Sequence, residues 1–223
     1  MARGFKRRDG RYAAKLDAVE RGLVVGLMEQ VLELIAPEQV DSPAGQEAGA
    51  EGVERAGGAD GPDEFDQIVA GLGGIGMGVS LSAEDQVPEL GGSVPQPRDP
   101  ALDRIFPTAN RQDEQVAAEF RRLTEDGLRS RKAANLSTAI AALSGFEDQK
   151  ISLDQQEALA LLVALTDVRL VLGERLGLRA DEDFDLLEEK SRSLPGDDPA
   201  VYALAVYDFL TWLQETLAHA LTP

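Results

Sequence analysis

The sequence predicts a mainly α fold: a helical bundle with a small N-terminal β-hairpin and a long disordered acidic linker. Three observations point there. Apolar residues recur at helical spacing in four long segments. An Asp9-Gly10 pair separates two short stretches holding Phe5 and Tyr12, a signal for a two-residue hairpin turn. Residues 40–98 shift to Gly, Ala, Pro and acids, a composition that buries too little apolar surface to offset its ordering entropy. The expected organisation is a hairpin plus helix over residues 1–39 packing on the bundle, a flexible linker over 40–98 and the bundle over 99–223.

The hairpin is expected from Phe5 to Lys15. Two strands alone are marginal in water, so its apolar side must dock on a helix. Asp17 with Glu20 three residues on forms a capping box for the first helix, whose core face is Leu23, Val24, Leu27, Met28, Val31, Leu34 and Ile35. The helix is expected to end near Pro37. Gly22 and Gly26 weaken its propensity by about 1 kcal/mol each relative to Ala, so packing must hold it.

Within the linker, Phe65 to Leu81 is rich enough in apolar residues to be expected as a short helix and a docking strand. A turn at Phe106-Pro107 leads to a helical run from about Asp113 to Ser144. Val116, Phe120 and Leu123 define one face of this run, whereas Leu136, Ile140 and Leu143 lie about 180° away on an unbroken helix. Either the helix breaks near Gly127 or Asn135, or its two ends pack on different neighbours.

Ser152 with Gln155 is expected to cap the next helix. The run Ala158 to Leu176 is apolar nearly all round and stops at Gly177, the signature of a central buried helix. An acidic helix follows over about Asp183 to Ser193. Asp198-Pro199 then starts a final helix to about Leu221, with Tyr207, Leu210, Leu213, Leu217 and Leu221 as its inner stripe.

Charge carries most of the functional information. The formal net charge is −18, yet Arg3, Lys6, Arg7, Arg8, Arg11 and Lys15 crowd the start, and Arg121, Arg122, Arg129, Arg131 and Lys132 crowd one later segment. A chain this acidic repels a nucleic-acid backbone at long range, so promoter DNA is expected to bind weakly without help. Arg121 with Glu125 and Arg122 with Asp126 stand at i,i+4 and are expected to neutralise part of the second island. Arg129, Arg131 and Lys132 have no evident acidic neighbour in sequence. Together with Lys6, Arg7, Arg8 and Arg11 they are the candidate contacts for a partner or nucleic acid. For the hairpin there is a bland alternative, since cations on an edge strand discourage edge-to-edge pairing.

No pattern assigns a catalytic residue, a cofactor or a metal ligand. Gly71, Gly73 and Gly76 match a phosphate-cradling motif, but no β-branched strand precedes them and Pro88 interrupts the helix that should follow. Asp181, Asp183 and Asp185 imitate a calcium loop, yet Leu186 replaces its glycine and Arg192 its glutamate, so an acidic first turn is the better account. His219 has no second histidine or cysteine for company. Asp167 and Arg169 interrupt the central helix, face different sides of it and are each expected in a structural ion pair with another helix. The absence of cysteine excludes disulfides, thiolate metal sites and thiol chemistry. No stretch is long and apolar enough for a bilayer, and the basic start lacks an apolar secretory core, so a cytoplasmic protein is expected.

Four segments taken together, Gly4-Phe-Lys-Arg-Arg-Asp-Gly-Arg-Tyr12, Leu102-Asp-Arg-Ile-Phe-Pro107, Glu119-Phe-Arg-Arg-Leu-Thr-Glu-Asp126 and Tyr207-Asp-Phe-Leu-Thr-Trp-Leu-Gln214, resemble the actinobacterial AosR-like oxidative-stress regulators, formerly counted as a domain of unknown function. The resemblance implies a non-enzymatic transcriptional regulator acting with a stress sigma factor or another RNA polymerase component. It also departs from that pattern, because thiol-based sensing cannot operate in a chain without cysteine. The alternative expectation is a helical adaptor or scaffold that makes no DNA contact.

Overall fold

The computed structural model describes residues 2–36, 98–109, 113–196 and 198–222. The expected linker therefore lies outside the described residues except for Arg98, as do the Phe65 to Leu81 elements and the Gly71, Gly73, Gly76 motif. Arg98 belongs to the folded part, with ion pairs to Asp103 at 3.2 Å and Glu125 at 3.1 Å, so the linker boundary moves back by at least one residue.

Strands β1 (Arg3–Arg8) and β2 (Arg11–Lys15) form the expected hairpin. Asp9 (φ 51°) and Gly10 (φ 76°) both take the left-handed conformation that a tight hairpin turn of this type demands. A third strand, β3 (Lys150–Leu153), pairs antiparallel with β2, giving the sheet order β1-β2-β3. The hairpin is therefore two-thirds of a sheet. This corrects the Ser152 cap: Ser152 lies inside β3 opposite Ala13, and the true cap is Asp154, whose carboxylate accepts from the Glu157 N–H at 2.9 Å while Glu157 accepts from the Asp154 N–H at 2.7 Å.

Helix α1 (Ala18–Ile35) starts with the expected reciprocal box between Asp17 and Glu20 and stops at Ala36, just before Pro37. A short α2 (Pro100–Ile105), capped by Asp99, leaves no periodic signature in the sequence because it spans under two turns. Helix α3 (Glu114–Ser144) runs unbroken past Gly127 and Asn135. Helix α4 (Gln155–Arg175) ends at Gly177 (φ 73°), where the Leu178 N–H reaches back to the Gly173 carbonyl at 2.8 Å. The acidic α5 (Asp181–Ser191) starts slightly earlier than expected, and α6 (Pro199–Leu221) begins at Asp198-Pro199 as expected.

One core joins all of these. Leu16 from the hairpin end, Met28 and Ile35 from α1, Leu136 and Leu143 from α3, Ile151 and Leu153 from β3, Leu161 and Leu165 from α4, and Leu210, Leu213 and Leu217 from α6 are fully buried in it. Helix α4 is central, packing against α1, α2, α3 and α6, while β1 lies along α6. Two expectations about faces change. On α4, Leu159 and Val163 are 47% and 38% exposed, so its first half is open on one side. On α3, the Leu136 to Leu143 end is in the core, but Val116, Phe120 and Leu123 are 52%, 50% and 69% exposed, and no described neighbour covers them.

Candidate functional site

The basic hairpin keeps all its cations exposed, with Arg3, Lys6, Arg8, Arg11 and Lys15 on the face away from the core and Arg7, opposite Tyr12, on the core-side face near the turn. Phe5, Tyr12 and Ala14 point into the core. Strand β1 is held against α6 by a close approach: the Phe5 N–H donates to Thr216 Oγ1 at 3.2 Å, and a Cβ added at Gly4 would stand 2.5 Å from Thr216 Cγ2. Only glycine fits there. Glu20 ties down the strand's start by accepting from the Ala2 N–H at 3.1 Å.

The register then sets like charges against each other. Arg3 pairs across the ladder with Lys15, and Arg8 with Arg11. Like charges directly opposite on a strand pair are unfavourable by a few tenths to about 1 kcal/mol each. Arg11 is partly relieved, donating from Nε to Ser152 Oγ at 2.9 Å and from Nη2 to the Ser152 carbonyl at 2.6 Å, with Glu157 at 3.8 Å. It is thus half a structural residue, tying β2 to β3. Lys6, Arg7 and Arg8 enter no ion pair among the described residues and form the free part of the surface.

The helical island resolves differently, and here the sequence expectation is corrected. Arg129 does have acidic company. It donates from Nη2 to Glu125 at 2.7 Å, donates from Nη1 to the Ile35 carbonyl at the end of α1 at 2.9 Å, and lies 4.9 Å above the Phe106 ring. Lys132 bonds Asp167 Oδ1 on α4 at 2.5 Å. Both cations are spent inside the fold: Glu125 stands at i,i+4 from Arg129 and is visible to local spacing, whereas the Ile35 carbonyl and Asp167 are far away in sequence and are not. Arg131 alone of the three is exposed without an ion pair among the described residues. Of the two expected i,i+4 pairs, Arg121 with Glu125 forms at 3.8 Å, whereas Arg122 with Asp126 does not form.

Glu125 is the hub of this region, receiving Arg98 and Arg129 with Arg121 at 3.8 Å. Burial alone raises its carboxyl, but hydrogen bonds and charge from Arg98 and Arg129 outweigh this and hold it below the usual range. Asp167, 1% exposed, goes the other way: burial pushes it up, against the opposing pull of Lys132. The expected structural ion pair forms at Asp167, with Lys132 of α3, but not at Arg169, which instead donates to the neutral Gln214 at 2.7 Å and stacks over Tyr207 at 5.2 Å. Asp183 accepts from the Arg179 and Ala180 N–H groups at 2.8 Å each, which lowers its carboxyl and gives the acidic turn a capping role. His219 is exposed in the last turn of α6.

The geometry so far defines a helical protein with a small, positively charged sheet edge and a fold-internal arginine cluster. Residues 2–221 match the model of the family described as a domain of unknown function, DUF2017, and the chain belongs to that family. No curated protein and no solved structure matches it. No described helix is long and apolar enough to cross a membrane.

Proposed function

We propose that the protein is a non-enzymatic regulator of oxidative-stress transcription that docks an acidic partner surface, a stress sigma factor or another RNA polymerase component, on the exposed cations of its hairpin. The observation that carries this reading is the register of the sheet, which sets Arg3 against Lys15 and Arg8 against Arg11 and leaves Lys6, Arg7 and Arg8 unpaired among the described residues. A docked acidic group relieves that repulsion, so the strain becomes binding energy. The stress-transcription setting rests on the resemblance of the four segments to AosR-like regulators, and it locates the protein in the cytoplasm. With no cysteine in the chain, oxidant sensing in this scheme falls to the partner.

The second reading, an adaptor without DNA contact, draws on the net charge of −18. A mobility-shift titration with promoter fragments separates the two. Direct contact through several phosphates weakens steeply as salt rises, whereas no shift at low salt, together with no capture of the purified sigma factor or polymerase, favours the adaptor. Failure of both the shift and the capture would sink the regulatory proposal.

A further inference from the structure

A second surface, on the opposite kind of chemistry, lies where the end of α1 meets the middle of α3. There an open groove of about 660 Å³ has an apolar floor from Leu32, Ile35, Ala36 and Ala133. Its rim is acidic: Glu29 and Glu33 stand one turn apart on α1, and Asp126 faces them from α3. All three are exposed and enter no ion pair among the described residues. The single cation in the lining, Arg129, is already committed to Glu125 and the Ile35 carbonyl. The apolar surface continues along α3 through Leu123, 69% exposed, toward Phe120, 50% exposed.

We propose that this groove receives the apolar face of a basic amphipathic helix from a partner protein. The lining residues on α1 span about two turns, which suits two or three apolar anchors at i, i+4 and i+7 from an incoming helix. Charge decides the occupant. Residues 37–97 of this chain carry twelve acids and one base, Arg55, so they are repelled by the rim. The net −18 of a second copy opposes its approach at long range, although its hairpin is basic. A helix with Lys or Arg flanking its apolar stripe is attracted by the rim. The site is separate from the hairpin, so its failure leaves the hairpin reading standing.

The test uses the full chain and a labelled amphipathic peptide with leucines at i, i+4 and i+7 flanked by lysines. Two controls are the same leucine pattern flanked by glutamates, and the lysine peptide with its leucines scrambled. Fluorescence anisotropy should show saturable binding of the lysine-flanked peptide alone. The variant Glu29→Lys/Glu33→Lys/Asp126→Lys should weaken it at least about tenfold, whereas Glu182→Lys/Asp185→Lys/Glu189→Lys, an equal charge change on α5, should alter it less than about threefold. No binding, binding of the scrambled peptide, or equal loss in both variants would overturn the proposal. Because the chain has no cysteine, Ser130→Cys gives a unique position for a benzophenone at the groove. Cross-linking to the lysine peptide supports the assignment, and cross-linking of the chain to its own residues 37–97 or to a second copy in the peptide's presence refutes it.

Discussion

Arg129, Arg131 and Lys132 look alike in sequence and do three different things. Arg129 closes the end of α1 and covers Phe106, Lys132 neutralises the buried Asp167, and Arg131 reaches solvent. Charge-assisted hydrogen bonds and a cation–π contact are worth about 1–2 kcal/mol together where partly exposed, so Arg129→Ala should lower stability by that amount while Arg131→Ala stays within about 0.5 kcal/mol. Denaturant midpoints at constant slope check both. Asp167 adds a pH signature. Its folded-state carboxyl is raised by burial, so its contribution to stability is fully present below the unfolded value and is lost as pH rises through the folded one. Wild type should therefore lose ground to Asp167→Asn in urea unfolding as pH climbs from the acid carboxylate range to neutrality; a wild type that gains ground would contradict the assignment.

At the scale of elements, local rules were readable wherever the signal was local. The Asp9-Gly10 turn, the Asp17 and Glu20 box, the Gly177 stop and the Asp198-Pro199 start all stand where the sequence puts them. What escaped was non-local. The four residues of β3 are too few to show alternation and acquire their strand character from pairing with β2, so Ser152 reads locally as a cap. The exposed face of α3 was readable as apolar, but its lack of a described neighbour was not. Gly4 belongs to the same class: nothing in its sequence context announces that Thr216 lies against it. Gly4→Ala should cost about 1–3 kcal/mol by overpacking, a drop seen in the denaturant midpoint, whereas Lys6→Ala should leave stability within about 0.5 kcal/mol.

For the whole molecule, charge is sorted by place. The hairpin concentrates free cations, Arg129 and Lys132 on α3 serve the fold while Arg122 and Arg131 stay free among the described residues, and the rim of the α1 and α3 groove stays acidic. Of the seven candidate contacts read from sequence, Lys6, Arg7, Arg8 and Arg131 keep free charge among the described residues, Arg11 is shared with β3, and Arg129 and Lys132 are internal. Spacing explains part of the division: Arg129 with Glu125 is an i,i+4 pair on one helix, which local arithmetic can see, whereas Lys132 with Asp167 joins two helices and is beyond it. A cation that is already paired has little left to offer a partner, and one opposed by a like charge has much to gain from an acid.

The central claim is that docking runs through the hairpin. Its most direct test compares capture of the purified stress sigma factor by wild type and by Lys6→Glu/Arg7→Glu/Arg8→Glu, with circular dichroism to show that both are folded. The account predicts that the bound fraction falls at least about tenfold in the triple variant and stays within about twofold for Arg131→Glu. A triple variant that is folded and binds as well as wild type would contradict it.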